Sequence, residues 1–156
     1  MRHDPSRLAA LQRTLILDSP AERAYDDITR LLASSLHVPI AIVNILDDDR
    51  DWFKSCIGLP QSESPATTSF CEAFFNTRDD LIVVEDTTRD PRFADHPFVV
   101  GDPRIRFYAA ARLSVAGRTV GTLCAYDFAP KRLSIEQLDE LRTQAVAVME
   151  LLSRRG

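Results

Sequence analysis

Arg104-Ile105-Arg106-Phe107-Tyr108-Ala109-Ala110-Ala111-Arg112-Leu113-Ser114-Val115 alternates along its length, Gly117-Arg118 turns the chain, and Thr119 to Asp127 returns. Side chains of a strand point alternately to its two faces, so this reads as a long antiparallel hairpin. Ile105, Phe107, Ala109, Ala111, Leu113 and Val115 fall on one face, which must be core. Arg104, Arg106, Tyr108, Ala110, Arg112 and Ser114 fall on the other. That second face has two readings. Guanidinium forks suit carboxylate or phosphate, which predicts the floor of an anion-tolerant pocket. Alternatively the face is half-solvated and its arginines pair with Glu85, Asp86 or Asp90.

Upstream, Pro39 to Leu46 is a continuous apolar, β-branched run, Asp47-Asp48-Asp49-Arg50 is a turn, and Asp51 to Ile57 returns. This is a second hairpin. The aspartates with Asp51 lack the glycine and terminal Glu of a calcium loop, so they read as a charged turn. Trp52 and Phe53 must put one ring on each face. Gly58 to Pro65 reads as loop. Ser69-Phe70-Cys71-Glu72 offers a capping box for a short helix through Phe75, and Leu81 to Val84 is a buried strand. Asp86 to Pro103 carries Pro91, Pro97 and Pro103. A connection of that length is functional or contains a small helix. Within it, Asp90-Pro91-Arg92-Phe93 reads as a turn anchored by Phe93.

Helices flank these strands. Asp4-Pro5 caps a first helix (residues 5–17) with Leu8, Leu11 and Leu15 on one stripe. Ser19-Pro20-Ala21-Glu22 opens a second (20–36), carrying Tyr25, Ile28, Leu31, Leu32 and Leu36. Ser134 with Gln137 opens a third (134–154), where Leu138, Leu141, Ala145, Val148 and Leu152 recur at heptad spacing. That seam either packs on the chain's own sheet or pairs with another subunit in a homodimer. The class is α+β, with a ligand pocket expected between the sheet and the proline-rich loop.

The chain has 156 residues, 45% apolar and 27% charged, which suits one folded domain. A net charge of -4 with no basic stripe argues against nucleic acid. No apolar run approaches the ~20 residues of a membrane span, and the N-terminus lacks a signal-peptide core. Cys56, Cys71 and Cys124 are an odd, scattered set, read as reduced thiols in a cytoplasmic protein. No His/Cys cluster has metal spacing, so no metal cofactor is expected.

Several blocks in order resemble the GAF domain found N-terminal in bacterial sensor histidine kinases and diguanylate cyclases. They are Leu17-Asp18-Ser19-Pro20-Ala21-Glu22, Val38-Pro39-Ile40-Ala41, Trp52-Phe53-Lys54-Ser55, Ser69-Phe70-Cys71, Asp90-Pro91-Arg92-Phe93, Ile105 to Ala109, and Gly121-Thr122-Leu123-Cys124. The resemblance covers Arg7 to about Arg154. It implies a six-stranded antiparallel sheet, terminal helices on one face, and a sensory module, often dimeric, with a kinase or cyclase output partner. The expected ligand is an unidentified small molecule, an anion on the pocket reading of the arginine face. The candidate pocket residues are Phe53, Phe70, Cys71, Asp86, Asp90, Arg92, Phe93, Arg106, Tyr108 and Arg112. The signature of the cyclic-nucleotide binders is not in its usual place, no Cys-His pair suits bilin attachment, and a lone loop His96 does not indicate haem. The chain departs from the usual pattern at Ala110 (glycine), Arg112 (proline), Glu72-Ala73 (small-His) and His96 (Asn). Two alternatives stand beside the sensor: a thiol-dependent free methionine sulfoxide reductase, and a ligand-free dimerisation module.

Overall fold

The computed structural model describes residues 1–155. Its elements run α1 (Pro5–Arg13), α2 (Arg23–Leu36), β1 (Ile40–Leu46), β2 (Arg50–Ile57), β3 (Glu63–Pro65), β4 (Leu81–Val84), α3 (Pro97–Val100), β5 (Phe107–Val115), β6 (Arg118–Asp127) and α4 (Ile135–Arg155). The strands form one antiparallel sheet in the order β3-β2-β1-β6-β5-β4. This is the α+β, six-stranded architecture expected from the sequence.

Both hairpins form. Between β5 and β6, Ala116 (φ 52°) and Gly117 (φ 74°) both take left-handed conformations. A two-residue turn of that hand matches the twist of the strands it joins. The core face of β5 is as read: Phe107, Ala109, Ala111 and Leu113 are buried beneath α1, α2 and α4. Ile105 is not on it. The strand begins at Phe107 rather than Arg104, and Ile105 packs in the opposite layer with Phe70, Tyr108 and Ala110.

The heptad seam is occupied within the chain. Leu141, Ala145, Val148 and Leu152 are buried in the helix-side core and Leu138 is half-buried against it. Of the two readings, packing on the chain's own sheet is therefore the one observed. The capping box that starts α4 is present in both directions, with Gln137 N–H donating to Ser134 Oγ at 3.1 Å and Ser134 N–H to Gln137 Oε1 at 2.9 Å.

Two other expected capping boxes do not form. Ser19 Oγ donates to the Ile16 carbonyl and accepts from Lys54 Nζ, so α2 starts three residues later, at Arg23. Lys54 is fully buried there and needs three oxygens: Ser19 Oγ, the Pro20 carbonyl and the Glu22 carboxylate. Ser69 donates instead to Asp51, and Phe70–Asn76 is a 3₁₀-helical segment without a side-chain cap. α1 also ends early, at Arg13, because Leu15 (φ 54°) leaves the helix and is exposed. Finally, the polar stretch read as loop contains β3, a three-residue edge strand.

One irregularity positions the site. Val43 pairs with Ser55 and Asn44 with Phe53, leaving Lys54 as the extra residue of a bulge. The bulge sends Lys54 and Ser55 together to the helix side, where Ser55 Oγ meets Thr29 and Asp26. Asp51 and Phe53 remain on the other side, facing the 3₁₀ segment and α3.

Candidate functional site

A chamber of about 150 Å³ lies on the sheet face away from the long helices. β1 contributes Ile40, Ile42 and Asn44, β2 contributes Asp51 and Phe53, and β6 contributes Tyr126. Leu59 and Gln61 from the loop before β3, Thr68 to Phe70, and Phe98, Pro103 and Ile105 close it. The walls are apolar and aromatic because β1 alternates strictly: Ala41, Val43 and Ile45 face the helices, while Ile40, Ile42 and Asn44 face the chamber.

The loop is fastened across this face by an aromatic stack. The Phe70 ring lies 4.1 Å from His96, 5.3 Å from Phe93, 5.4 Å from Tyr108 and 5.5 Å from Tyr126, centroid to centroid. His96 Nδ1 accepts the Phe98 N–H at 2.9 Å, and Nε2 lies 3.0 Å from the Thr68 carbonyl. These contacts require the neutral ring with its proton on Nε2. Burial holds the His96 pKa below the ordinary imidazole value, against the opposing pull of the Thr68 carbonyl.

The chamber's polar end is built from residues distant in sequence. Asp51 is 3% exposed. Its carboxylate accepts from Arg2 Nη2 at 3.0 Å, Asn44 Nδ2 at 3.0 Å and Ser69 Oγ at 2.5 Å. Burial pushes the Asp51 carboxyl above its usual range, while Ser69, Asn44 and Arg2 pull it down. Desolvation also works against the Arg2 guanidinium, but Asp51 and Glu72 more than offset it and its pKa lies above the usual value. Asn44 is 2% exposed, and its Oδ1 has no hydrogen-bond partner.

Of the residues expected at the pocket, Phe53 and Phe70 line the chamber. Cys71, Phe93 and Tyr108 sit behind it in the same apolar layer. Cys71 Sγ lies 3.0 Å from both Tyr108 Oη and Thr122 Oγ1. Burial opposes its thiolate, but hydrogen bonds from Cys124, Thr122 and Tyr108 bring the Cys71 pKa below that of a free thiol. Burial drives Cys124 and Tyr108 well up. Both thiols are 0% exposed, so neither meets solvent.

The charged candidates fall elsewhere. Asp86 caps a turn through Thr88, whose hydroxyl lies 2.6 Å away and holds the Asp86 carboxyl below its usual range. Asp90 is held low by Arg92, which reaches it from Nε, Nη2 and the backbone N–H. Arg106 donates to the Val99 carbonyl at 2.9 Å. Arg112 clamps the 74–79 segment: Nη1 donates to the Phe74 carbonyl at 3.0 Å, and Nη2 to Thr77 at 2.8 Å and Asp79 at 2.7 Å. Backbone carbonyls take the Arg106 and Arg112 guanidiniums, and exposed Arg104 lies 3.9 Å from Asp102, so none of the three arginines lines the chamber. Nor do these arginines pair with Glu85, Asp86 or Asp90: Arg112's nearest carboxylate is Asp80, at 3.8 Å.

Sequence reasoning missed Asn44, Asp51 and Ser69. Asn44 carried a signal, since a lone amide on the inward stripe of Ile40 and Ile42 must find polar company. Asp51 carried none, as its ion-pair partner lies 49 residues away.

A family model described as the GAF domain matches residues 20–155. The chain belongs to the GAF domain family. A curated relative, a cyclic di-GMP phosphodiesterase of Pseudomonas aeruginosa, is 40% identical over 127 residues. That alignment takes in 81% of this GAF domain but 22% of the relative, so the chain spans under a quarter of that protein's length. Among solved structures, the GAF domain of an Acinetobacter phosphoenolpyruvate-protein phosphotransferase superposes with a TM-score of 0.70 at 17% identity, covering 97% of this chain and 95% of that one. Free methionine-R-sulfoxide reductase from Neisseria meningitidis, solved with its substrate, gives 0.66 at 17% identity over 94% and 89%. At these identities the likeness is one of fold.

Among the described residues, no group of three or more His, Cys, Asp or Glu side chains converges as a metal site would need. No described helix is long and apolar enough to cross a membrane.

Proposed function

We propose that this GAF domain is a non-catalytic sensory module of a cytoplasmic signalling system, which binds a small molecule in the chamber between β1, Phe70 and Phe98. One observation carries the reading: the sheet's helix face is filled, while its other face holds a chamber with a buried polar end. Kinship with a segment of a cyclic di-GMP phosphodiesterase supports a regulatory role, coupled to an output domain of kinase, cyclase or phosphodiesterase type.

Strand β1 supplies a mechanical link. Its even-numbered residues from Ile40 to Asn44 touch the chamber, and its odd-numbered ones touch α2 and the core under α4. A ligand that orders residues 86–103 therefore shifts how the helices pack, by as much as its affinities for the two arrangements differ. Pairing with a second copy belongs to this reading. It would use the outer faces of α2 and α4, where Leu31 and Val146 are exposed, rather than the seam. A sulfoxide reductase reading would require an accessible thiolate: Cys71 and Cys124 would have to open to solvent, and half-buried Cys56 has its thiol pushed up by burial.

Native mass spectrometry of the purified chain tests the proposal. A stoichiometric small-molecule adduct is expected, lost when Phe53→Trp fills the chamber. An adduct equally retained by that variant would place binding elsewhere and overturn the assignment.

A further inference from the structure

The chamber's lining selects among ligands by charge, and the choice is opposite to the one the arginine-rich strand suggests. Among the described residues no Lys, Arg or His lines it, and its one carboxylate is Asp51. Arg2 reaches Asp51 without lining the chamber, and Arg106 and Arg112 are held by backbone carbonyls. An anion entering here would meet a carboxylate and no counter-charge.

A cation fares no better. Asp51 Oδ1 is taken by Arg2 Nη2 at 3.0 Å, and Oδ2 by Asn44 Nδ2 at 3.0 Å and Ser69 Oγ at 2.5 Å. Arg2 and Asp51 are each 3% exposed, so the ion pair is closed within the protein and a second cation would have to break it. Stripping water from an ion is costly unless a free counter-charge receives it, so both signs of charge are disfavoured.

Apolar walls and neutral polar groups remain. Ile40, Ile42 and Ile105 supply aliphatic surface, and Phe53, Phe98 and Tyr126 supply rings. Towards solvent, exposed Gln61 and Pro103 and half-buried Ser64 and Thr68 add no charge. Burying apolar area is then the main gain open to a ligand. A cavity of about 150 Å³ with such walls limits that ligand to one or two rings.

We propose that the chamber takes a compact, uncharged, predominantly apolar molecule of one or two rings. This rests on the chamber being the binding site. It adds the ligand's chemical class.

Three probes of similar size separate the two claims: indole, benzoate and benzylammonium, which at neutral pH are uncharged, anionic and cationic. Each is titrated into the wild-type chain with isoleucine methyl groups labelled for NMR, following Ile40, Ile42 and Ile105. Indole is expected to shift these methyls and to bind at least about tenfold tighter than either ion, since neither finds a free counter-charge. Benzoate or benzylammonium binding within about tenfold of indole, or more tightly, overturns the uncharged assignment while leaving the chamber a binding site. No response of these methyls to any probe overturns the chamber itself.

Discussion

Removing the Arg112 side chain should unfold the protein more easily without touching the chamber. The guanidinium ties β5 to the 74–79 segment through the carbonyls of Phe74, Thr77 and Asp79, adds Thr119 Oγ1 at 2.8 Å, and lies 5.1 Å from the Phe74 ring centroid. In Arg112→Ala the Asp79 carbonyl, on an exposed residue, regains water. The carbonyl of buried Phe74 loses its donor, which costs about 1–3 kcal/mol. Lost packing over Phe74 adds to this, giving about 2–4 kcal/mol in all. For a chain of this length that lowers Tm by about 5–15 °C. Arg112→Lys should recover less than half, because one ammonium cannot span three carbonyls. Urea titration is the assay, with the midpoint falling and the slope unchanged. A loss under about 0.5 kcal/mol would refute the clamp. So would phosphate stabilising wild type but not Arg112→Ala, since the guanidinium would then be free to hold an anion.

Three further outcomes follow from the packing and the titration. Gly121→Ala would put a methyl 2.3 Å from the Asn44 carbonyl oxygen, so it should force β1 and β6 apart and cost about 1–3 kcal/mol or more in denaturant. Leu141→Ala, at a fully buried seam position, should lose about 2–5 kcal/mol while leaving the sedimentation coefficient of the folded protein unchanged. His96 has its pKa lowered, so its contribution is complete above the ordinary value of about 6.5 and is lost as pH falls through the folded value. Stability measured from pH 7.5 to 5 should therefore fall more steeply for wild type than for His96→Gln, and parallel curves would show that neutral His96 does not fasten the loop.

Local pattern made the strands legible. The alternation of Phe107 to Val115, the run Ile40 to Leu46 and the Ser134–Gln137 box each depend on neighbours in sequence, and each formed. What could not be read were residues whose roles are set at a distance. Ser19 and Ser69 have the spacing of helix caps, but buried Lys54 and buried Asp51 need partners more. Arg112 on a strand looks the same in sequence whether it awaits an anion or clamps carbonyls from a segment more than thirty positions away. The chamber followed the same division. Its aromatic rings Phe53 and Phe70 were expected there, while its polar end depends on Arg2, Asn44, Asp51 and Ser69 meeting across three separate stretches of chain.

The most direct test is an isoleucine methyl spectrum of the wild-type protein with and without saturating indole, a small aromatic probe of a size that the chamber of about 150 Å³ admits. Ile40, Ile42 and Ile105 should shift strongly, since they line the chamber, while Ile16 and Ile28 under the helices should show only small secondary changes. Large shifts at Ile16 and Ile28 with Ile40, Ile42 and Ile105 unmoved would put the ligand on the helix side, and the chamber would not be the binding site.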